Sequence, residues 1–153
     1  MITYIAIGVG TIFIPYFTTY YFGLSEKELA VLPVASALGG VLAWLLSPKM
    51  ERLFDKKNAA IISIILFGIF FSLPFMMIMT GTFPVNGSPF LLPIYVSCNT
   101  IGYIFIYISF NITNSMMADI VDEYEMIAGQ RDEGLFFSTM SFAYKCTVGL
   151  GYL

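Results

Sequence analysis

The sequence has no histidine and few charges. Of its 153 residues, 11% are Asp, Glu, Lys or Arg and none is His, whereas soluble domains carry about 25% charged residues. Seven basic and ten acidic side chains cannot cover the surface of a globule of this size. The missing histidine excludes His-based catalysis and His metal ligands. Fifteen Phe and ten Tyr exclude a disordered chain, so the composition indicates an integral membrane protein.

No charge occurs between Met1 and Ser25. A secretory signal would need a basic start and an apolar stretch of only about 7–15 residues, whereas this apolar run is long enough to span a bilayer. We therefore expect the chain to start inside a larger protein. Cys98 and Cys146 both fall in apolar segments, where a thiol packs as a small hydrophobe.

Five apolar runs predict five transmembrane helices, because each is near the ~20 residues needed to cross hydrocarbon. The period-2 alternation of membrane strands is not seen. The last run has no polar flank at Leu153, so both ends are expected to be truncations. The predicted helices are A (about 1–23), B (29–47), C (59–80), D (89–113) and E (134–153).

The loops between these helices predict the orientation. Basic residues cluster between B and C and, more sparsely, between D and E, whereas Lys27 stands alone on the other side. Loops rich in Lys and Arg remain in the cytoplasm. The first residues of helix A and the loops 48–58 and 114–133 are therefore expected in the cytoplasm of a multi-pass cell-membrane protein. The basic residues on that side are Lys49, Arg52, Lys56, Lys57 and Arg131.

Small residues recur every four positions on helix B. Ala35, Gly39 and Ala43 form this row, and small-xxx-small rows allow two membrane helices to approach closely. This row favours close packing of helix B against a neighbour. The alternative is that bent helices line a pathway, as in transporters, with the bends at Pro15, Pro33 and Pro74.

Lys145 is the most informative single residue. It lies 11 residues beyond Gly134, which is about 17 Å along a helix and near the middle of a ~30 Å hydrocarbon core. A charge there is costly and usually faces a partner or a water-filled cavity. Ser138, Ser141, Phe142 and Gly149 share its helix face. The pattern favours a cavity wall; the alternative is a structural ion pair with another helix.

A second polar stripe runs along helix D. Asn99, Tyr103, Tyr107 and Asn111 recur every four residues, with Phe110 beside them. These side chains could line a cavity with hydrogen-bond donors and aromatic faces. They could equally hold two helices together, and the sequence leaves both interpretations open.

Carboxylates crowd the segment between helices D and E. Asp119 and Asp122 share one face if helix D continues past the membrane, and Gly129 permits a turn before Arg131. A charge network that closes the inner side of the cavity is predicted from four residues: Asp119, Asp122, Arg131 and Glu133. Glu133 also suits the start of helix E through the helix dipole. An alternative is that Asp119 and Asp122 form an acidic metal motif.

The segment "ADIVDEYEMIAGQRDEGLFFSTMSFAYK", residues 118–145, resembles the glycoside–pentoside–hexuronide:cation symporters of the major facilitator superfamily. Their pattern is roughly A-D-x-x-D, a Glu three residues on, R-x-E-[GS], then a Ser-containing helix ending in Lys. "PYFTTYYFG" is similar to the family's Tyr-rich seventh helix, and "PKMERLFDKKN" to its basic eighth-to-ninth loop, with Asp55 in place of a common Gly. The resemblance covers helices seven to eleven of twelve.

The resemblance implies a mechanism in which two six-helix halves rock about a central site and couple a cation gradient to solute uptake. The family's lysine that matches Lys145 lies near the cation and the sugar. Ser141 matches a Thr, and Phe110 matches a Trp, both of which contact sugar in melibiose carriers. Met140 replaces a Gln, so hydroxyl contacts are expected to differ. The cation-binding aspartates belong to an N-terminal half, which this chain lacks and needs for transport.

The resulting expectation is an all-α membrane protein, the C-terminal part of a major-facilitator bundle truncated in its last helix. Its partners are a sugar or glycoside, the lipid bilayer and the missing half. No enzyme activity, nucleic acid, metal or cofactor is expected, apart from a coupling Na⁺ or H⁺. Three alternatives remain: a lipid or organic-anion carrier, a membrane-embedded metal-dependent transferase using Asp119 and Asp122, and a structural membrane subunit.

Overall fold

The structure, a computed structural model, describes residues 8–10, 13–84, 86, 88–130 and 132–151, and the regular secondary structure of these residues is helical. The helical class predicted from the sequence is thereby confirmed for these residues. By length and composition, the stretches Glu26–Met79 and Leu91–Ala128 are candidates to cross a membrane, and the five-span topology stays a prediction. The elements are a π-helical turn at Phe17–Tyr21, α1 (Glu26–Leu29), α2 (Val31–Met79), α3 (Leu91–Ala128) and α4 (Glu133–Gly151).

The loop predicted at 48–58 is helical, and this boundary prediction is corrected. Helix α2 continues through the basic segment and is interrupted only at Asp55, whose φ is 59° and ψ is 155°. The polar composition of residues 48–58 predicts a loop, but the Lys, Arg, Glu and Leu residues of this segment all favour helix. The break between predicted helices B and C is thus a single residue. Asp55 occupies the position where the resembling family commonly has Gly, the residue that adopts positive φ without strain.

The loop predicted at 114–133 is also mostly helical. Helix α3 extends to Ala128, so its 38 residues measure about 57 Å and exceed a ~30 Å hydrocarbon core. Gly129 then ends the helix with φ +70°, and its N–H donates to the Glu125 carbonyl at 2.9 Å. The turn predicted at Gly129 is confirmed. Arg131 lies outside the described residues.

Helix α3 packs against both halves of α2. A side chain at Gly39 would meet Tyr103, and Ser47 accepts a hydrogen bond from Asn111. Both pairs are 64 positions apart, so the first half of α2 runs parallel to α3. In the second half, Phe71 contacts Gly102 and Phe70 lies beside Phe105 (ring centroids 5.8 Å). In these pairs the residue number falls on α2 as it rises on α3, as in antiparallel helices. The chain therefore reverses direction across Asp55.

An apolar cluster joins the start of α3 to the first residues of α2 and to the end of that helix. Its buried members are Phe22, Leu24, Leu91 and Tyr95. The Phe22 ring lies 4.8 Å from that of Tyr95, between centroids, and aromatic pairs at such distances contribute beyond their buried area. This cluster ties together the elements on either side of the 80–90 connection.

The chain divides into two compact units. Phe22–Thr113 contains α1, α2 and most of α3, and it holds the contacts just described. The other unit combines Met1–Tyr21 with Asn114–Leu153, so far as these residues are described. In this second unit, the Tyr124 ring at the end of α3 meets Phe136 of α4 edge-on, with centroids 5.2 Å apart.

Candidate functional site

Helix α4 has two chemically different faces. The side chains predicted to line a cavity with Lys145 are all exposed on one face of the helix: Ser138, Ser141 and Phe142, the last with 70% of its surface exposed. The Ser138 hydroxyl donates to its own helix at the Leu135 carbonyl, 3.0 Å away. Lys145 is the only charged side chain of α4 after Glu133. This face therefore presents one cation among small polar groups.

The opposite face of α4 lines an apolar cleft of about 350 Å³ with Met117 of α3. The hydroxyls of Thr139 and Thr147 lie on the cleft but donate to carbonyl oxygens of their own helix, those of Leu135 and Ala143. The cleft consequently offers few hydrogen-bonding groups. The α4 residues on it are Leu135, Phe136, Thr139, Met140, Ala143 and Thr147.

Met140 lies on this apolar cleft, whereas Lys145 and Ser141 lie on the exposed face. The replacement of a family Gln by Met at this position suits the apolar surroundings, because Met fills irregular apolar gaps. The expectation that Met140 alters hydroxyl contacts to a sugar stays a prediction. On α4 itself, Ser141 lies one turn before Lys145 and is exposed.

The predicted stripe on α3 is divided in the structure. The buried Asn99 amide donates to the Tyr95 carbonyl of its own helix, 2.8 Å away, and only 4% of Asn99 is exposed. Asn111 donates to the Ser47 hydroxyl across to α2, at 3.1 Å. The Asn111 bond crosses between helices, as the interhelical interpretation of the stripe expects, whereas the Asn99 bond stays within α3.

The two tyrosines between those amides stack on each other. The Tyr103 and Tyr107 rings have centroids 6.2 Å apart and planes inclined by 22°, and both side chains are half-buried. Tyr107 also lies beside Gly40, whose added Cβ would be 3.8 Å from its ring. Phe110, the predicted sugar contact, is half-buried as well. Their role toward a substrate stays a prediction.

The acidic residues of the predicted inner network lie on the last turns of α3 and at the start of α4. Asp119, Asp122 and Glu133 are exposed, and each has an interaction partner. Because Arg131 lies outside the described residues, the predicted network remains a prediction. Among the described residues, no group of three or more Cys, Asp or Glu is placed to hold a metal ion.

Sequence reasoning missed Ser47, which the structure places inside α2 with its side chain 6% exposed. The Ser47 hydroxyl accepts a hydrogen bond from the Asn111 amide and donates one to the Ala43 carbonyl, 2.7 Å away. A signal was present, because Ser47 continues the four-residue period of Ala35, Gly39 and Ala43. Because the predicted helix B ends at Ser47, the predicted row of small residues stops at Ala43.

The long apolar helices, the interhelical polar bonds and the polar face around Lys145 define an all-helical membrane protein. Residues 1–153 match the family described as MFS/sugar transport protein. The chain therefore belongs to this family of transporters within the major facilitator superfamily. Searches of curated proteins and of solved structures found no match.

Proposed function

We propose that the chain is part of a cation-coupled symporter for a glycoside or related sugar, and that it works by alternating access. The observation that carries the proposal is the exposed face of α4, where Lys145 stands among Ser138 and Ser141. Membership of a sugar-transport family supports a sugar as the solute. The resemblance of residues 118–145 to the glycoside–pentoside–hexuronide:cation symporters supports the finer assignment.

The depth of Lys145 supports a role in the transport cycle. It lies 12 residues after Glu133, the first residue of α4, which corresponds to about 18 Å of helix. If Glu133 marks the inner boundary, the ammonium is near the middle of the hydrocarbon core. An ammonium at this depth needs water or a carboxylate. A bound cation sharing that carboxylate would compete electrostatically with Lys145, which couples cation and sugar binding.

The apolar and polar faces of α4 support different tasks in such a cycle. The face of α4 that lines the apolar cleft with Met117 is directed toward α3, while the face around Lys145 is left for the solute and for the other half of the carrier. The predicted inner network of Asp119, Asp122, Arg131 and Glu133 would close the cytoplasmic side in one state. Exposed charge pairs contribute only about 0–1 kcal/mol, so this closure can break in every cycle.

Replacing Lys145 by Leu in the intact protein tests the coupling role. The change removes the charge and keeps an apolar stem, so we expect folded, membrane-inserted protein whose sugar affinity no longer responds to cation. Linked sites typically change each other's affinity about 5–150-fold, and this factor should fall to about one. The measurement is equilibrium sugar binding with and without Na⁺, repeated across pH to detect coupling to H⁺.

Lys27→Leu is the matched control, because it removes the same charge from the segment before α2 and should leave cation stimulation intact. Lys145→Arg keeps the charge and should retain part of the stimulation. Thermal unfolding of each purified variant establishes that it is folded. If Lys145→Leu binds sugar with unchanged cation stimulation, Lys145 is a structural ion-pair residue and the coupling mechanism is wrong.

A further inference from the structure

A groove lined only by aromatic side chains runs along the helix that precedes α1. It has a volume of about 400 Å³, within the range of small-molecule sites. The lining residues have the spacing of a single helix face and all are exposed: Phe13, Tyr16, Phe17, Tyr20 and Tyr21. None of them belongs to the site around Lys145 or to the stripe on α3.

The rings form two rows. In one row, Phe17 lies between Phe13 and Tyr21, with centroids 6.3 Å and 6.4 Å away. In the other, Tyr16 and Tyr20 are 5.1 Å apart and inclined by 33°. The two rows flank the groove, so a flat ligand entering it would meet aromatic surface on both sides.

The backbone under the groove is a π-helical turn, Phe17–Tyr21. Such turns are rare and occur frequently at functional sites. The buried Thr18 hydroxyl donates to the carbonyl oxygens of Ile14 (2.8 Å) and Pro15 (3.0 Å). The Thr18 hydroxyl is thereby directed to the backbone and away from the rings, whereas Thr19 of the same turn is exposed.

The composition of the groove differs from that of the apolar surface elsewhere in the chain. The exposed large residues in the first half of α2 are mostly aliphatic, including Val34, Leu38 and Leu45, as expected for contact with acyl chains. The groove instead has five aromatic rings, and three of them carry a phenol hydroxyl. Phe13 and Tyr21 are eight positions apart, so the rings extend over about two turns of the helix.

We infer that this aromatic groove binds the pyranose ring of the transported sugar. A pyranose has apolar C–H faces that fit against aromatic rings and equatorial hydroxyls that can bond to the phenols of Tyr16, Tyr20 and Tyr21. The inference rests on the proposed function, because the ligand is the sugar of the proposed symporter. The groove adds a binding surface that is separate in sequence from the cluster around Lys145.

The test compares ring-removing with ring-keeping substitutions in the intact protein. Tyr16→Leu and Tyr20→Leu should each weaken equilibrium sugar binding about tenfold, the scale of one good aromatic contact. Tyr16→Phe and Tyr20→Phe keep the rings and should lose much less affinity. Phe90→Leu is the matched control, since Phe90 is 69% exposed outside the groove, and its sugar affinity should equal that of the unmodified protein.

A labelling experiment gives a second measurement that needs no change in affinity. Tyr20→Cys, in a background without Cys98 and Cys146, should react with a thiol reagent, and added sugar should slow this reaction at least about fivefold. Thermal unfolding in lipid identifies variants that are misfolded.

The outcomes separate the groove from the proposed function. If the unmodified protein binds sugar and the Leu variants bind it equally well, with no sugar protection at position 20, the groove assignment is wrong and the symporter proposal stands. A loss of thermal stability in lipid without a loss of affinity would make the groove a lipid-facing surface, which also overturns the assignment. If neither the unmodified protein nor Phe90→Leu binds any sugar, both proposals are wrong.

Discussion

The two sides of α3 meet α2 in different ways. Toward the first half of α2, the backbones approach closely at Gly39, where an added Cβ would lie 2.8 Å from the Tyr103 Cβ and 3.2 Å from the Ile104 nitrogen. Toward the second half, an added Cβ at Gly102 would lie 3.7 Å from the Phe67 ring, 3.8 Å from the Phe71 nitrogen and 3.9 Å from the Phe71 Cβ, which are ordinary contact distances. The backbones come close on both sides, but only the contact at Gly39 is too tight for a Cβ.

This difference shows why small residues on membrane helices have unequal importance. Close backbone contact increases van der Waals packing and lets polar side chains bond across helices, as the Asn111–Ser47 bond does on the same side of α3. The buried residues Ala35 and Ala43, 2% and 0% exposed, continue the same contact. On the other side of α3 there is room for a Cβ at Gly102, although the Phe71 nitrogen would lie only 3.8 Å from it.

Among the substitutions that test this comparison, Gly39→Ala should change the free energy of unfolding most. The new methyl must displace backbone atoms of α3 as well as Tyr103, and overpacking typically costs about 1–3 kcal/mol. The free energy of unfolding of the intact protein in detergent should fall by about that amount. The measurement is denaturant or thermal unfolding, with the temperature midpoint as a second readout.

Gly102→Ala is the matched control on the other side of α3. Its methyl meets Phe67 at an ordinary contact distance, and Ala favours helix over Gly by about 0.8–1 kcal/mol. Stability should therefore stay equal or rise. Equal losses at both glycines would mean that the two contacts are packed alike, and the comparison would be wrong.

The close contact was predictable from the sequence, but the break between the two halves of α2 was not. The spacing of Ala35, Gly39 and Ala43 predicted the tight face directly, because period-four rows of small residues have a simple packing meaning. The basic segment 48–58 predicted a loop, yet its residues are good helix formers. Nothing in the composition of this segment predicts that the reversal is concentrated at Asp55.

Asp55→Gly tests that reversal and should stabilise the protein. Asp55 has φ 59° and ψ 155°, a combination that is essentially limited to glycine and costs about 1–3 kcal/mol for other residues. Glycine removes this strain but makes the unfolded chain more flexible, which offsets about 0.4–1 kcal/mol. The expected gain in unfolding free energy is about 1 kcal/mol, measured by the same unfolding experiments.

Lys57→Gly provides the control, because Lys57 lies in the helix two positions later and glycine in a helix interior is unfavourable by about 0.5–1 kcal/mol. A gain at position 57, or a loss at position 55, would show that the chain reverses elsewhere. The backbone at Asp55 positions both halves of α2 against α3. The substitutions at positions 55 and 57 therefore also bear on the comparison between the two sides of α3.

The candidate site was predictable only in part. The period of α4 placed Ser138, Ser141 and Lys145 on one face, and the structure leaves that face exposed. The period of α3 could not tell a cavity wall from an interhelical contact, because an amide serves either purpose. The choice depends on the neighbouring helix, which lies 64 positions away for Asn111. The aromatic groove was not predictable either, because the segment that carries four of its five rings indicates only a family resemblance.

The smallest predicted effect concerns the hydrogen bond between Asn111 and Ser47. A double-mutant cycle with Asn111→Ala and Ser47→Ala should give a coupling energy of about 0.6 kcal/mol, the average for interhelical bonds in a membrane protein. The bond joins α3 to the close-contact half of α2, so the coupling should vanish in Gly39→Ala if the methyl pushes the helices apart. Unfolding of the four variants in detergent, with and without Gly39→Ala, gives both values.

Ser97 supplies the control cycle. Its hydroxyl donates to the Pro93 carbonyl of its own helix at 2.7 Å, and it lies 14 positions, about 21 Å, from Asn111 along α3. Distant sites without shared partners add within about 0.3–0.5 kcal/mol, so Ser97→Ala and Asn111→Ala should be additive. Coupling that persists unchanged after Gly39→Ala would show that the polar bond holds the helices together without the close backbone contact, which would reverse the order of importance assigned to the two interactions.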